Sequence, residues 1–173
     1  MQDNQSQTHW IYAAGIMDSD GCFMITKRKI KGKERVEYMP IVKISMITDR
    51  SLKYIREKTG FGNILINGTR PSRPNSLPIY EWRITKVGDL RIFLKNILPY
   101  LQNKKERAEH LIDFCVIGNY RDHGAHAQGH KLTKEQLDYR EQAYLKMRRL
   151  NGSKVGATTK SLGPVKACDS LNS

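Results

Sequence analysis

The sequence predicts an α+β fold of order α-β-β-α-β-β-α, followed by a C-terminal helical extension. Three observations carry this expectation. Apolar residues recur at helical spacing ahead of each of two pairs of extended stretches. Those stretches alternate apolar and polar residues, the period of half-buried strands. The α-β-β unit occurs twice in succession, so one sheet can carry its helices on a single face.

The elements follow in order. Residues 6–18 read as a helix, with Trp10, Ile11, Ala13, Ala14, Ile16 and Met17 at helical spacings and Asp3, Asn4 or Ser6 available as caps. Gly21 ends it. Residues 22–28 (CFMITKR) read as a strand, 29–37 as a basic turn region containing Gly32, and 38–47 (YMPIVKISMI) as a second strand, with Pro40 favouring an early or edge position. Thr48 or Asp49 is placed to cap a second helix that runs through Lys58, anchored by Leu52, Tyr54 and Ile55 and stopped by Gly60. Residues 61–67 form a third strand and 68–78 a loop rich in Gly, Pro, Ser, Asn and Arg. In the fourth strand, 79–86, Tyr80, Trp82 and Ile84 face one way and Glu81, Arg83 and Thr85 the other. Helices over 89–98 and 104–117 complete a core spanning residues 1–120.

Residues 121–173 form a second region. A polar, Gly-rich loop over 121–130 leads to a helix capped by Thr133 and running to about Leu150, with Leu137, Tyr144, Leu145 and Met147 as expected contacts. The tail 151–173 is rich in Gly, Ser and Lys and holds too little apolar surface to fold alone.

Charge narrows the function. Thirty Lys and Arg against seventeen Asp and Glu give a net charge of +13 over 173 residues. Cations that neutralise phosphates release condensed counterions, so this balance points to a nucleic acid. An acidic membrane surface is the weaker reading, because no basic amphipathic anchor helix stands out. No apolar run is long enough to span a bilayer, and residues 1–9 lack a signal-peptide core. Cys22, Cys115 and Cys168 are odd in number and widely spaced, which fits a reducing setting. The expected location is therefore intracellular, in cytoplasm or an organelle, and not secreted. His123, His126 and His130 form H-x2-H-x3-H, which matches no closed four-ligand zinc pattern and reads as a polar loop.

Residues 13–21 read Ala-Ala-Gly-Ile-Met-Asp-Ser-Asp-Gly. Taken alone, Asp18, Asp20 and Gly21 need do no more than turn a helix into a strand. The stretch nevertheless resembles the motif of the LAGLIDADG homing endonucleases, with Ala13 in place of the first leucine and mild changes at Ile16, Met17 and Ser19. The element order extends the resemblance over residues 6 to about 117. A single copy of the motif resembles the homodimeric members. Small residues let a twofold-related helix approach closely, so Ala13, Ala14 and Gly15 are the expected dimer interface, with Trp10 as a further member. The pairing brings two copies of Asp20 together, and adjacent carboxylates repel unless cations lie between them.

The resemblance implies that Asp20 is a metal ligand, that Ser19 adds its main-chain carbonyl, and that Asp18 bonds backbone groups at the helix junction. The implied metal is Mg²⁺ or Mn²⁺, hard cations that take oxygen ligands, with Ca²⁺ as a binding-competent but non-catalytic substitute. Local alignment carries over two catalytic cations. Arg50 falls at the end of the second strand, and Lys104 lies in LPYLQNKKERA, with Lys105 the alternative if the register slips. Either would polarise water or stabilise a pentavalent phosphate. Met46 departs from the pattern: a glutamine is common there, and a thioether cannot donate a hydrogen bond.

The sheet face away from the helices is the expected DNA surface, since a twisted ribbon fits the major groove. It carries Met24, Thr26 and Arg28; Lys43 and Ser45; Asn63, Leu65 and Asn67; and Glu81 and Arg83. Tip cations Lys27, Lys29, Lys31, Lys33 and Arg35 and loop cations Arg70 and Arg73 are expected to reach phosphates or outer bases. The implied activity is hydrolysis of both strands of a long, partly palindromic duplex by a homodimer whose sheet forms a saddle on DNA, leaving 3′ overhangs. Such genes sit in introns, inteins or other mobile elements. No small-molecule substrate is implied. The alternatives are a non-cleaving, sequence-specific DNA-binding protein and an RNA-splicing maturase on the same fold.

Overall fold

Two hairpins interlock into one antiparallel sheet in the computed structural model, which describes residues 3–29, 36–67, 77–117 and 132–152. The elements are α1 (Asp3–Ser19), β1 (Gly21–Lys29), β2 (Val36–Met46), α2 (Arg50–Thr59), β3 (Asn63–Asn67), β4 (Ile79–Ile84), α3 (Val87–Ile97), a 3-10 turn (Leu98–Tyr100), α4 (Lys105–Ile117) and α5 (Lys134–Leu150). The strand order is β1-β2-β4-β3. The two long strands of the first hairpin thus lie beside the second, with β4 against β2.

Strand alternation splits the sheet into two faces. Phe23, Ile25, Tyr38, Val42, Ile44, Trp82 and Ile84 are buried on one, where they meet Ala13, Ala14 and Met17 of α1 and Leu90, Phe93 and Leu94 of α3. Removing this much apolar area from water supplies the main favourable free energy of folding. Trp82 anchors the centre: its ring lies 5.1 Å from that of Phe93, and its Nε1–H donates to the Phe61 carbonyl at 2.9 Å. Gly62 makes this possible. A Cβ there would fall 2.4 Å from Trp82 Nε1, and its φ of +82° lies in the left-handed region.

The structure departs from the sequence expectation at three instructive places. Asp49 occupies the N-cap position of α2 but does not cap it; its carboxylate pairs with Lys53 at 2.6 Å. β2 ends at Met46, so Arg50 belongs to the first turn of α2 and not to the end of the second strand. The third concerns α5, which begins with the expected cap, Thr133 and Gln136 each accepting from the other's backbone N–H. Of the expected contacts, Met147 is buried and Tyr144 packs against the core, but Leu137 is 38% exposed, and Arg140 and Ala143 are buried in its stead. The helix is turned by its polar partners. Glu141 reaches Lys27 at 2.6 Å and Tyr38 Oη, the Ala143 carbonyl lies 2.9 Å from His110 Nε2, and Asn151 donates to the Phe23 carbonyl at 2.9 Å. Among the described residues no helix is long and apolar enough to cross a membrane.

Candidate active site and nucleic-acid interface

The end of α1 makes an abrupt turn into β1. Ser19 closes the helix, Asp20 still donates its N–H to the Ile16 carbonyl at 2.9 Å, and Gly21 opens the strand. Only glycine fits there, because a Cβ would lie 2.6 Å from both Cα and O of Met17. The Asp20 side chain is exposed. The Ser19 hydroxyl lies 3.1 Å from Asp20 Oδ2 and 3.2 Å from the Ile16 carbonyl, two acceptors for one proton.

Asp18 faces the other way. Its carboxylate accepts the backbone N–H of Gln102 at 2.6 Å and of Lys104 at 3.0 Å. It does bond backbone, as expected, but in the segment leading into α4. Lys104 returns the contact: its Nζ donates to the carbonyls of Met17 at 3.1 Å, Ser19 at 2.9 Å and Gly21 at 2.7 Å. Burial and then the Arg107 guanidinium push the Lys104 ammonium below its ordinary pKa, while Cys22, Asp18 and Asp20 pull it back.

Among the described residues no group of three His, Cys, Asp or Glu side chains converges as a metal cage. One chain offers the Asp20 carboxylate and the carbonyl oxygen of Ser19. That hard, incomplete donor set suits Mg²⁺, which keeps several waters and takes phosphate oxygens. It does not suit a closed zinc site. The H-x2-H-x3-H stretch lies outside the described residues. Arg50 is exposed at the start of α2, and Met46 is partly buried at the end of β2.

The open sheet face carries the expected polar set, arranged in cross-strand rows. Cys22, Lys43, Arg83 and Asn63 are register partners across all four strands. The next row is Ser45, Glu81 and Leu65. The Glu81 side chain is only 10% exposed and lies 2.9 Å from Lys43 Nζ and 3.8 Å from Arg83 Nη1, with Ser45 Oγ at 3.5 Å. Further out, Arg28 pairs with its register partner Glu37 at 3.1 Å, and Thr26 Oγ1 donates to the Met39 carbonyl at 3.3 Å. Met24 lies opposite Ile41, and Asn67 opposite Ile79. Cys22, Glu37, Met39 and Ile41 share this face although the sequence reading passed over them; the same alternation that selects Met24 and Lys43 selects them too. Burial raises the Cys22 thiol above its ordinary pKa, against Lys43, Lys104 and Arg107.

Two expectations are corrected. Lys27 is not a tip cation: it sits on the helix side of β1 and is paired with Glu141. Lys29 shares its strand parity and is exposed. Lys31, Lys33, Arg35, Arg70 and Arg73 lie outside the described residues. The second correction concerns α1. Ala13 and Ala14 are fully buried within the chain, and Trp10 packs edge-on against Phe93 at 6.1 Å. Ala13 and Ala14 thus seat α1 on its own core, while Trp10 is only partly buried. The exposed side of α1 shows Gly15 and Ile11 (51% exposed), while Tyr12 leans on α2, its ring 5.0 Å from that of Tyr54 and its hydroxyl donating to Ser51 Oγ at 2.9 Å.

No protein-family model and no curated protein matches the sequence. Solved structures do match. The homing endonuclease I-CvuI, in complex with the I-CreI target, superposes with a TM-score of 0.68 over 87% of both chains at 18% identity. The archaeal intron-encoded homing endonuclease I-Vdi141I, complexed with DNA, gives 0.64 over 87% of this chain and 86% of its own, at 16% identity. The group I intron-encoded homing endonuclease I-CeuI, also with DNA, gives 0.62 over 90% and 72%, at 15% identity. With its element order, sheet topology and helix-to-strand turn at Asp20, this chain has the LAGLIDADG homing-endonuclease fold.

Proposed function

We propose that the protein is a site-specific, divalent-metal-dependent endonuclease that cuts both strands of duplex DNA as a homodimer. The observation that carries this reading is Asp20: an exposed carboxylate on a turn fixed to backbone, beside an open sheet face lined with Lys43, Arg83, Asn63 and Ser45. The structural neighbours are DNA complexes, among them I-CvuI complexes prepared with Mg²⁺ and with Ca²⁺, and the same ligand class fits the donors here.

Each residue then has a task. The sheet face binds the major groove, with Lys43, Arg83, Asn63 and Ser45 toward base edges and Arg28 toward the flank. Asp20 and the Ser19 carbonyl hold the cation, and Arg50 supplies positive charge near the scissile phosphate. The cation, when bound, neutralises the paired carboxylates and acts as a Lewis acid on the phosphate. Cuts on opposite strands by two twofold-related Asp20 groups leave 3′ overhangs on a partly palindromic site.

Gly15 supports the dimer. Its added Cβ would meet nothing within 4 Å among the described residues, and glycine inside a helix costs about 1 kcal/mol relative to alanine. Nothing among the described residues requires it. A second α1 packed on this face does, with the exposed Ile11 one turn away.

The test is cleavage of a randomised duplex library in Mg²⁺, with sequencing of the ends, for wild type and Asp20→Asn. The wild type is expected to leave defined 3′ overhangs. D20N removes the charge that holds metal and relieves repulsion toward phosphate, so cutting falls by orders of magnitude while binding is kept or tightened. Cutting by D20N at near the wild-type rate would place the metal elsewhere.

A further inference from the structure

An ammonium group has three N–H donors, and Lys104 directs all three at backbone carbonyls, those of Gly21, Ser19 and Met17 at 2.7, 2.9 and 3.1 Å. The last carbonyls of a helix have no partner within it and carry its negative end. Lys104 therefore closes the C-terminus of α1 from outside, with acceptors on both sides of Asp20. Asp18 makes the reverse connection, its carboxylate holding the N–H groups of Gln102 and Lys104. Acid and base each grip the other segment's backbone, across more than eighty residues of sequence. A lysine so engaged has no donor left for a phosphate oxygen or a water.

We propose that Lys104 is a positioning residue rather than a catalytic one. Together with Asp18 it latches the turn through Ser19, Asp20 and Gly21, so that the Asp20 carboxylate and the Ser19 carbonyl stand in one geometry before DNA or metal arrives. The Ser19 oxygen accepts one bond from Nζ and keeps a second lone pair for a cation. This rests on the nuclease reading of Asp20, but the latch itself is a property of the metal-free protein and is measurable there.

Two measurements on the full chain test it. The first is amide hydrogen exchange without metal. Lys104→Met keeps the stem and removes the donors, and is expected to speed exchange at Asp20 by about tenfold, roughly the loss of one net hydrogen bond, while Trp82 is unchanged. Should K104M fail to fold, Asp18→Asn opens the latch from its other side, and faster exchange at Gln102 is expected. Unchanged exchange in the folded variant overturns the proposal. The second is an Mg²⁺ titration of cleavage by Lys104→Arg, which keeps the charge but whose planar fork cannot meet three carbonyls around one point. Half-saturating Mg²⁺ is expected to rise about tenfold, the usual effect of disturbing the groups behind a metal ligand, with the saturated rate within a few-fold of wild type. A hundredfold loss of saturated rate at an unchanged metal requirement would mean direct action on the phosphate and would overturn the proposal. Wild type that never cuts, together with faster exchange in K104M, would overturn the nuclease reading and leave the latch standing.

Discussion

The Lys43 ammonium and the Glu81 carboxylate lie 2.9 Å apart in the middle of the open sheet face. A nearly buried acid is costly unless cations offset it, all the more on a face proposed to meet DNA, and Arg83 adds a second cation at 3.8 Å. Glu81 fixes where these cations point and subtracts from the charge they show to phosphate. Glu81→Gln should therefore bind random duplex more tightly and with a steeper salt dependence, by up to about 0.9 in the log–log slope for each phosphate newly contacted. Discrimination between cognate and random duplex should fall about tenfold. Competition binding at two salt concentrations reads both, and an unchanged discrimination ratio would refute the role.

Gly15→Leu separates folding from association. The side chain enters open space on α1, and leucine is the better helix former by somewhat under 1 kcal/mol. The protomer should melt no lower than wild type, yet sediment as a monomer and cut nothing. A G15L protein that still sediments as a dimer would show that another face associates.

The pair that joins α5 to the first hairpin sets an acid limit on stability. Burial pushes the Glu141 carboxyl up, but hydrogen bonds from Lys27 and Tyr38 and the Lys27 charge push harder, and it stays below the ordinary value of 4.5. Its folded pKa is depressed, so its contribution is present above 4.5 and is lost as pH falls through the folded value. Glu141→Gln should lower the urea midpoint at neutral pH and narrow its difference from wild type in strong acid. A constant difference across pH would contradict this.

Glycine 62 and glycine 60 make a controlled comparison. Both have positive φ, but a Cβ at 60 meets nothing while one at 62 strikes the Trp82 indole. Gly60→Ala should cost about 1 kcal/mol. Gly62→Ala should cost about 2 to 3 kcal/mol more, because it also displaces a core ring and strains its bond to Phe61. Urea unfolding of the two variants side by side checks the gap.

The sheet faces were legible in the sequence because their period is two and one face is apolar, so Lys43, Ser45, Glu81 and Arg83 were assigned correctly to one side. The same rule puts Lys27 opposite Arg28, but Lys27 also stands near the charged tip, and only its partner Glu141, on a helix 114 residues away, shows which consideration prevails. Ala13 and Ala14 were ambiguous for a different reason. Small residues permit close approach without saying what approaches, and here it is the chain's own core. Lys104 stands out by its neighbours in sequence, but its hydrogen bonds go to main-chain carbonyls of a distant turn, which no side-chain pattern encodes.

The row Cys22, Lys43, Arg83 and Asn63 draws one residue from each strand. Lys43 and Arg83 share the partner Glu81, so their substitutions are not expected to add: the effect of changing Lys43 depends on what stands at 83 and on the charge at 81. Under the proposed DNA-reading role, the outcome of a step at one of these positions is set by the residues already present on the neighbouring strands. Libraries meant to redirect the protein are best randomised by row, across the strands, rather than along any one of them.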